Sequence, residues 1–306
     1  MPLLVLVCFW GRHTLENSVH KSEILCGDNL KLLRDLDSDS IDACITDPPY
    51  GMGMDIWDHS VPPVETWKEV LRVLKPGAFC LSFCSPQLYH RMAVNLEDGG
   101  FLIQDQLIWM ITTKMAKHNR LKPAHEPIAV GQKPLSESSI KKNQEKWGVG
   151  KIDIEDARVP WEGEPPTGWT TGGVTRRAFG KKVTKSTEQT VTKRDANPKG
   201  RYPSNIIGLF DVPEHQKYFY APRVSKKERG EFNDHPTPKP IDLMQYLIKI
   251  YTPPQSIVLD PFCGSGSTGV AAKYEGRNFI GIDLDDHYCE ITKRRMNEIS
   301  SSIENY

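Results

Sequence analysis

The stretch Ser256-Ile-Val-Leu-Asp-Pro-Phe-Cys-Gly-Ser-Gly-Ser-Thr-Gly269 runs from a short apolar segment into a glycine turn and then into helical spacing. Gly264, Gly266 and Gly269 fit G-x-G-x-x-G, a pattern that lets backbone approach a nucleotide where a helix begins. Nineteen residues after Gly264 comes Asp283, closing a second apolar run, where a carboxylate can accept hydrogen bonds from ribose hydroxyls. Taken alone, the pattern suits a nicotinamide or flavin site, a nucleoside site without pyrophosphate, or a turn that merely packs helix on strand.

Working outward, runs with the look of buried strands occur at Glu23–Cys26, Ala43–Thr46, Ala78–Cys84, Gln106–Ile111, Ile128–Val130, Ile257–Leu259 and Asn278–Ile282. Several are continuously apolar, as in parallel strands covered on both faces. Between them, Trp67, Val70, Leu71 and Leu74 repeat at helical spacing between Pro62-Pro63 and Pro76-Gly77, and Ser85-Pro86 is placed to open a helix over Leu88–Leu96. Ile241–Tyr251, Thr268–Tyr274 and Asp286–Ile299 read as three more helices. This alternation predicts a doubly wound, mostly parallel α/β sheet. Only 37 residues follow Gly269, so strands earlier in the chain must complete the sheet, as in a circular permutation.

The 306 residues suffice for one large α/β domain, and 25% charged with 38% hydrophobic residues is a globular composition. Lys plus Arg equals Asp plus Glu at 39 each, which gives no support for a uniformly basic nucleic-acid binder. The charge is nevertheless uneven: Lys141–Arg201 holds 14 basic and 8 acidic residues, and Thr112–Lys133 holds five basic and one acidic. Such asymmetry fits a face for an anionic partner or a solvated loop. From Leu135 to about Tyr202 apolar periodicity disappears, which predicts an insertion with little core of its own, partly disordered without a partner. The seven cysteines form no C-x-x-C pair and are expected to be reduced, as in a cytoplasmic protein. Leu3–Trp10 is too short for a membrane span and lacks the flanks of a signal peptide. No Cys/His spacing indicates a metal site.

The most specific motif is Ile45-Thr-Asp-Pro-Pro-Tyr-Gly51, in which Asp47-Pro48-Pro49-Tyr50 follows a strand. Its four residue types would coincide by chance at about 1 in 100,000 positions. Pro49 restricts Pro48 to extended backbone, so the Pro48 carbonyl can be aimed beside the Asp47 carboxylate. Two acceptors facing one point suit an exocyclic NH2, and Tyr50 offers a face for a planar base.

Asp-Pro-Pro-Tyr together with Asp260-Pro-Phe-Cys-Gly-Ser-Gly-Ser-Thr resembles the S-adenosylmethionine-dependent DNA amino-methyltransferases of adenine N6 and cytosine N4. The order of the motifs, catalytic tetrapeptide first and cofactor loop last, resembles their permuted beta group. Gly27-Asp28-Asn29, Leu74-Lys-Pro-Gly77, His235-Pro-Thr-Pro-Lys-Pro240 and Gly281-Ile-Asp-Leu-Asp-Asp286 agree with it, and the likeness spans roughly Lys21 to Asn297 apart from most of 136–200. The resemblance implies a seven-stranded Rossmann-like methyltransferase sheet with S-adenosyl-L-methionine as cofactor. It divides the chain into an extension (1–20), a catalytic half (21–135), a variable basic insertion for target recognition (136–202), a cofactor half (203–299) and a tail (300–306).

The resemblance also assigns residues. Asp28 would lie near the cofactor adenine, Asp260, Phe262, Gly264 and Gly266 around the cofactor, and Asp283 on its ribose. Thr237 and Lys239, with His235 as a candidate neighbour, would meet the methionine carboxylate. Asp47, Pro48, Pro49 and Tyr50 would hold a flipped-out base for direct methyl transfer to its amino nitrogen. Lys114, Lys117, His118, Arg120 and Lys122, then Arg176, Arg177, Lys181 and Lys182, are candidates for DNA contact, since their charges can neutralise phosphates. The expected partners are double-stranded DNA, a second copy of the chain and a cognate restriction endonuclease, with no membrane. Asp as the first residue of the tetrapeptide favours adenine N6 over cytosine N4. Competing readings are a catalytically inactive DNA-binding module, an RNA or protein N-methyltransferase, and an NAD-dependent oxidoreductase. Cytosine C5 chemistry would need a nucleophilic thiolate, usually in Pro-Cys, and no Pro-Cys occurs.

Overall fold

The computed structural model describes residues 22–53, 58–111, 121–161, 163–165, 169–170, 193–208, 232–235 and 237–303. The central sheet contains β1 (Glu23–Cys26), β2 (Ile41–Thr46), β3 (Leu74–Phe83), β4 (Leu102–Met110), β5 (His125–Gln132), the two-residue β8 (Ile206–Ile207), β9 (Ile257–Asp260) and β10 (Asn278–Asp283). Their order across the sheet is β1-β10-β9-β2-β3-β5-β4-β8. The first five are parallel, whereas β5 runs antiparallel to both β3 and β4. A separate ribbon pairs β6 (Trp169–Thr170) with β7 (Lys193–Arg194). The expected seven strands are therefore present, and β8 adds an eighth along β4.

Alternate residues of the strands feed two cores. Ile45, Phe79, Leu81 and Phe83 pack on one face with Leu243, Met244 and Leu247 of α5 (Ile241–Tyr251) and Val270 and Ala271 of α6 (Ser267–Tyr274). Cys44, Ala78 and Cys80 pack on the other with Leu33 of α1 (Asn29–Asp35), Trp67 and Val70 of α2 (Val64–Val73), and Met92 and Leu96 of α3 (Tyr89–Asp98). Burial on both faces is why β2 and β3 read as unbroken apolar runs. In the permuted order, β9 from the C-terminal half pairs with β2 from the N-terminal half.

Four local expectations are corrected. Leu74–Gly77 does not end α2 as a turn but begins β3, and α3 starts at Tyr89 without a side-chain cap, so Ser85 does not cap it. The start of the insertion does bury core. Helix α4 (Ile140–Trp147) packs on β3, and fully buried Asn143 donates to the Pro76 and Val149 carbonyls and accepts from the Ser136 N–H. A side-chain amide can satisfy three backbone groups in this way without apolar periodicity. Finally, Cys26 and Cys289 pair as a disulfide, with Cα atoms 6.2 Å apart, against the expectation of seven reduced thiols. They meet because β1 ends beside the first turn of α7 (Asp286–Ile303). Among the described residues no helix is long and apolar enough to cross a membrane.

Candidate active site

Because β2 and β9 are parallel neighbours, the loops leaving their carboxyl ends open on the same edge of the sheet. From there the chain passes through α2 to β3 on one side and through α6 to β10 on the other. Diverging crossovers leave a crevice between them, the usual ligand position in such sheets. Here it is a cleft of about 1480 Å³, lined by Asp28, Asp47, Pro48, Pro49, Tyr50, Thr237, Lys239, Phe262, Gly264 and Asp283. That exceeds the roughly 300–1,000 Å³ of a single-ligand pocket and leaves room for two ligands.

At the β9 end, the Gly264 N–H donates to Asp283 Oδ2 at 2.7 Å and the Asp285 N–H to Asp283 Oδ1 at 3.0 Å. Each carboxylate oxygen keeps a second lone pair for a hydroxyl donor. Burial raises the Asp283 pKa, and these N–H donors oppose the rise. Asp28 caps α1 by accepting from the Lys31 N–H, and Asn29 donates to the Pro261 carbonyl, tying this helix start to the glycine loop. Helix α7 grips the loop from the other side, with the Thr292 hydroxyl on the Gly264 carbonyl at 2.9 Å and Arg295 on the Ser265 carbonyl at 2.5 Å.

Asp260 and Gly266, both expected at the cofactor, lie behind this surface. Asp260 is 2% exposed, and its two oxygens accept from the Thr46 and Thr268 hydroxyls at 2.6 Å each, joining β9 to β2 and α6. Gly266, at φ +77°, faces α7, where an added Cβ would stand 2.5 Å from Thr292 Cγ2. Their chemistry is spent on shaping the loop, whereas Phe262 and Gly264 line the cleft.

At the β2 end, the Tyr50 hydroxyl donates to Asp47 Oδ1 at 2.5 Å, and the Lys239 ammonium hydrogen-bonds to Asp47 Oδ2. Lys239, expected with Thr237 at the methionine carboxylate, thus sits at the Asp47 end of the cleft, between the faces of Tyr50 and Phe83. Burial raises the Asp47 pKa; Lys239 opposes the rise and Glu126 adds to it. Burial disfavours the Lys239 cation, but Asp47 and Glu126 outweigh it and raise its pKa, so the ammonium stays charged. Tyr50 is raised well above the ordinary phenol value by burial and then by Asp47.

Two residues here escaped the sequence reading. Asp58, 2% exposed, accepts from the Tyr50, Gly51 and Met52 N–H groups at 2.7, 2.6 and 3.0 Å and so holds the Pro-Pro loop in shape. Nothing in its local sequence marks it. Glu126, 8% exposed near the start of β5, places Oε2 3.6 Å from Lys239 Nζ. Its signal was available, as the one acid in the basic stretch Thr112–Lys133. Of the DNA-contact candidates, Lys122 lines the cleft, while Lys114, Lys117, His118, Arg120, Arg176, Arg177, Lys181 and Lys182 lie outside the described residues.

Known proteins resemble this chain in sequence and in fold. The chain is 26% identical to the type II methyltransferase M.HindIII of Haemophilus influenzae over 316 residues, covering 88% of this chain and 93% of that protein. It is also 26% identical to M.HpaI of Haemophilus parainfluenzae, over 89% of this chain and 73% of that one. In fold it is similar to the cytosine-N4-specific PvuII DNA methyltransferase, with TM-score 0.57 and 16% identity over 92% of this chain and 90% of that one. TTHA0409 of Thermus thermophilus, solved with S-adenosyl-L-methionine, gives TM-score 0.53 and 19% identity over 91% and 94%. Residues 41–294 match the DNA methylase family of N6 and N4 methyltransferases, and the chain belongs to that family.

Proposed function

We propose that this protein methylates adenine N6 at a specific sequence in double-stranded DNA. The observation that carries the reading is one cleft holding both the Asp47-Pro48-Pro49-Tyr50 loop and the Gly264–Asp283 pair, on neighbouring parallel strands. The cofactor is S-adenosyl-L-methionine. Backbone at Gly264 can lie close to it, the Asp283 carboxylate suits its ribose, and Phe262 and the 73% exposed Leu284 offer apolar surface to its adenine. When bound, it supplies an electrophilic sulfonium methyl, so the protein needs no nucleophile of its own.

The amino lone pair of adenine is delocalised into the ring, which makes it a poor nucleophile. Asp47 and the Pro48 carbonyl accept hydrogen bonds from the amino group and favour the pyramidal nitrogen, stabilising charge that develops only in the transition state. Asp47 then receives the proton that the nitrogen loses on methylation. The target amine takes part in base pairing, so the nucleotide is flipped out of the duplex and stacked on Tyr50. Lys122 supports phosphate contact at the rim, and we assign target recognition to the basic insertion 136–202. The type II relatives support a cognate endonuclease and action in the cytoplasm of a bacterial or phage-infected cell, and the family resemblance supports a homodimer.

The test is incubation with methyl-labelled S-adenosyl-L-methionine and mixed-sequence duplex DNA, followed by nucleoside mass spectrometry, with Asp47→Ala in parallel. N6-methyladenine that vanishes in the variant is the expected result. N4-methylcytosine would overturn the choice of base and keep the mechanism; no methylated nucleoside, despite cofactor binding, would overturn the reaction.

A further inference from the structure

Each oxygen of Asp47 holds a donor, Oδ1 the Tyr50 hydroxyl and Oδ2 the Lys239 ammonium. A second lone pair remains on each, but a target amine that docks on Oδ2 enters beside the ammonium already there, and an ammonium is the donor most like it: an N–H group on a nitrogen of the same size. The side chain of Lys239 is 8% exposed, so its charge cannot simply swing into water. A buried cation that leaves its partner needs another. Glu126 is that partner. Its carboxylate comes from β5, on the far side of β3 from β2, and stands 3.6 Å from Lys239 Nζ and 3.5 Å from the Tyr50 hydroxyl. A shift of about 1 Å would bring Lys239 from ion-pair contact to hydrogen-bond length with Glu126.

We propose that Lys239 is a placeholder for the target amine on Asp47, and that Glu126 is a positioning residue which takes over Lys239 when the base enters. Tyr50 and Phe83 present ring faces to the ammonium in its present position, with centroids 5.5 and 5.2 Å from Nζ, so the cation remains in an aromatic setting as it changes partner. The inference rests on the methyltransferase reading above. It extends that reading to a pair of residues that need not touch the base.

The charges of the cluster yield a test that a merely structural role would not pass. Asp47, Lys239 and Glu126 together carry one net negative charge. Glu126→Gln removes the alternative partner and leaves Lys239 fixed on Asp47. Adding Lys239→Met removes the competitor and restores the net charge of the wild type. At saturating S-adenosyl-L-methionine, Glu126→Gln should lower kcat at least tenfold while the Kd for the cofactor stays within twofold. The double variant should then be at least threefold more active than Glu126→Gln alone. Glu126→Gln with kcat within twofold of wild type, or a double variant no better than the single, would overturn the proposal. If Glu126→Gln does not fold, the double variant is compared with wild type: above one tenth of its kcat supports the exchange, and anything lower overturns it. Wild type run alongside separates the two levels, because an inactive wild type removes the methyltransferase reading itself, whereas an active one leaves only the role of Glu126 at stake.

Discussion

In the proposed reaction Asp47 accepts a hydrogen bond and then a proton, so its protonation state would govern the rate. Its pKa is raised by burial, and then by Glu126 against the opposing Lys239. A carboxyl raised in this way loses acceptor function as pH falls through a value above the ordinary range near about 4. The acid limb of kcat should therefore have its midpoint above that value, and a pH–rate profile flat down to about pH 4 would contradict the assignment. Asp47→Asn should lower kcat by about 10²-fold or more at unchanged cofactor affinity, measured by single-turnover kinetics and by titration of the cofactor. Asp58 acts without touching the reacting atoms. Asp58→Ala strips the acceptor from three N–H groups of the catalytic loop, and should cost on the order of 3 kcal/mol, read by denaturant titration. Asp58→Asn, which keeps one carbonyl oxygen, should cost less. Asp58 acts on N–H groups only six to eight residues before it, yet no sequence pattern marks it. Glu126 stands out as the one acid of a basic stretch, but its partner Lys239 is delivered by folding from 113 residues away.

At the scale of elements, the glycine loop shows how one motif divides its work. Gly264 presents backbone to the cleft, whereas Gly266 lets α7 approach the start of α6. Gly276, at φ +67° after α6, has nothing within 4 Å of an added Cβ. Gly276→Ala should thus show only the left-handed backbone term of about 1–2 kcal/mol. Gly266→Ala, at φ +77° and facing Thr292, should lose at least about 1 kcal/mol more by overpacking. Denaturant titration of the two variants separates the terms, and equal losses would show that the α7 contact yields at no cost. The same loop was legible in sequence as a nucleotide turn, but the pattern does not say which glycine faces ligand and which faces helix. That division depends on α7, whose Thr292 lies 26 residues beyond Gly266.

Across the whole molecule, Asp260 is a buried joint between the two halves of the permuted chain, since it bonds Thr46 on β2 from its own place on β9. Burial pushes its pKa up to about 7, and the Thr268 and Thr46 hydroxyls counter only part of the rise. A carboxyl raised in the folded state contributes stability that is fully present below its unfolded pKa and is lost as pH rises through the folded one. This group's contribution should decline between about pH 4 and 7, by up to about 4 kcal/mol. Thermal melts should show Asp260→Asn gaining on wild type across that interval, and a pH-independent difference would contradict the assignment.

The chain by itself determined most of the sheet's strands and of the helices between them, together with the chemistry carried by contiguous residues. Apolar runs buried on both faces marked the strands, and the Asp-Pro-Pro-Tyr loop and the glycine loop each encode their local geometry within a few residues. Tertiary structure decided how these pieces combine. Pairing of β2 with β9 placed two loops more than 200 residues apart in sequence on one cleft, and the antiparallel β5 brought Glu126 to Lys239. It moved Asp260 and Gly266 from the ligand surface to the support behind it, folded α4 onto β3 through Asn143, and joined Cys26 to Cys289. The reason is physical: backbone conformation and burial pattern are set largely by near neighbours, whereas the partner of a buried charge, amide or thiol is whichever group the packed sheet and helices deliver to it.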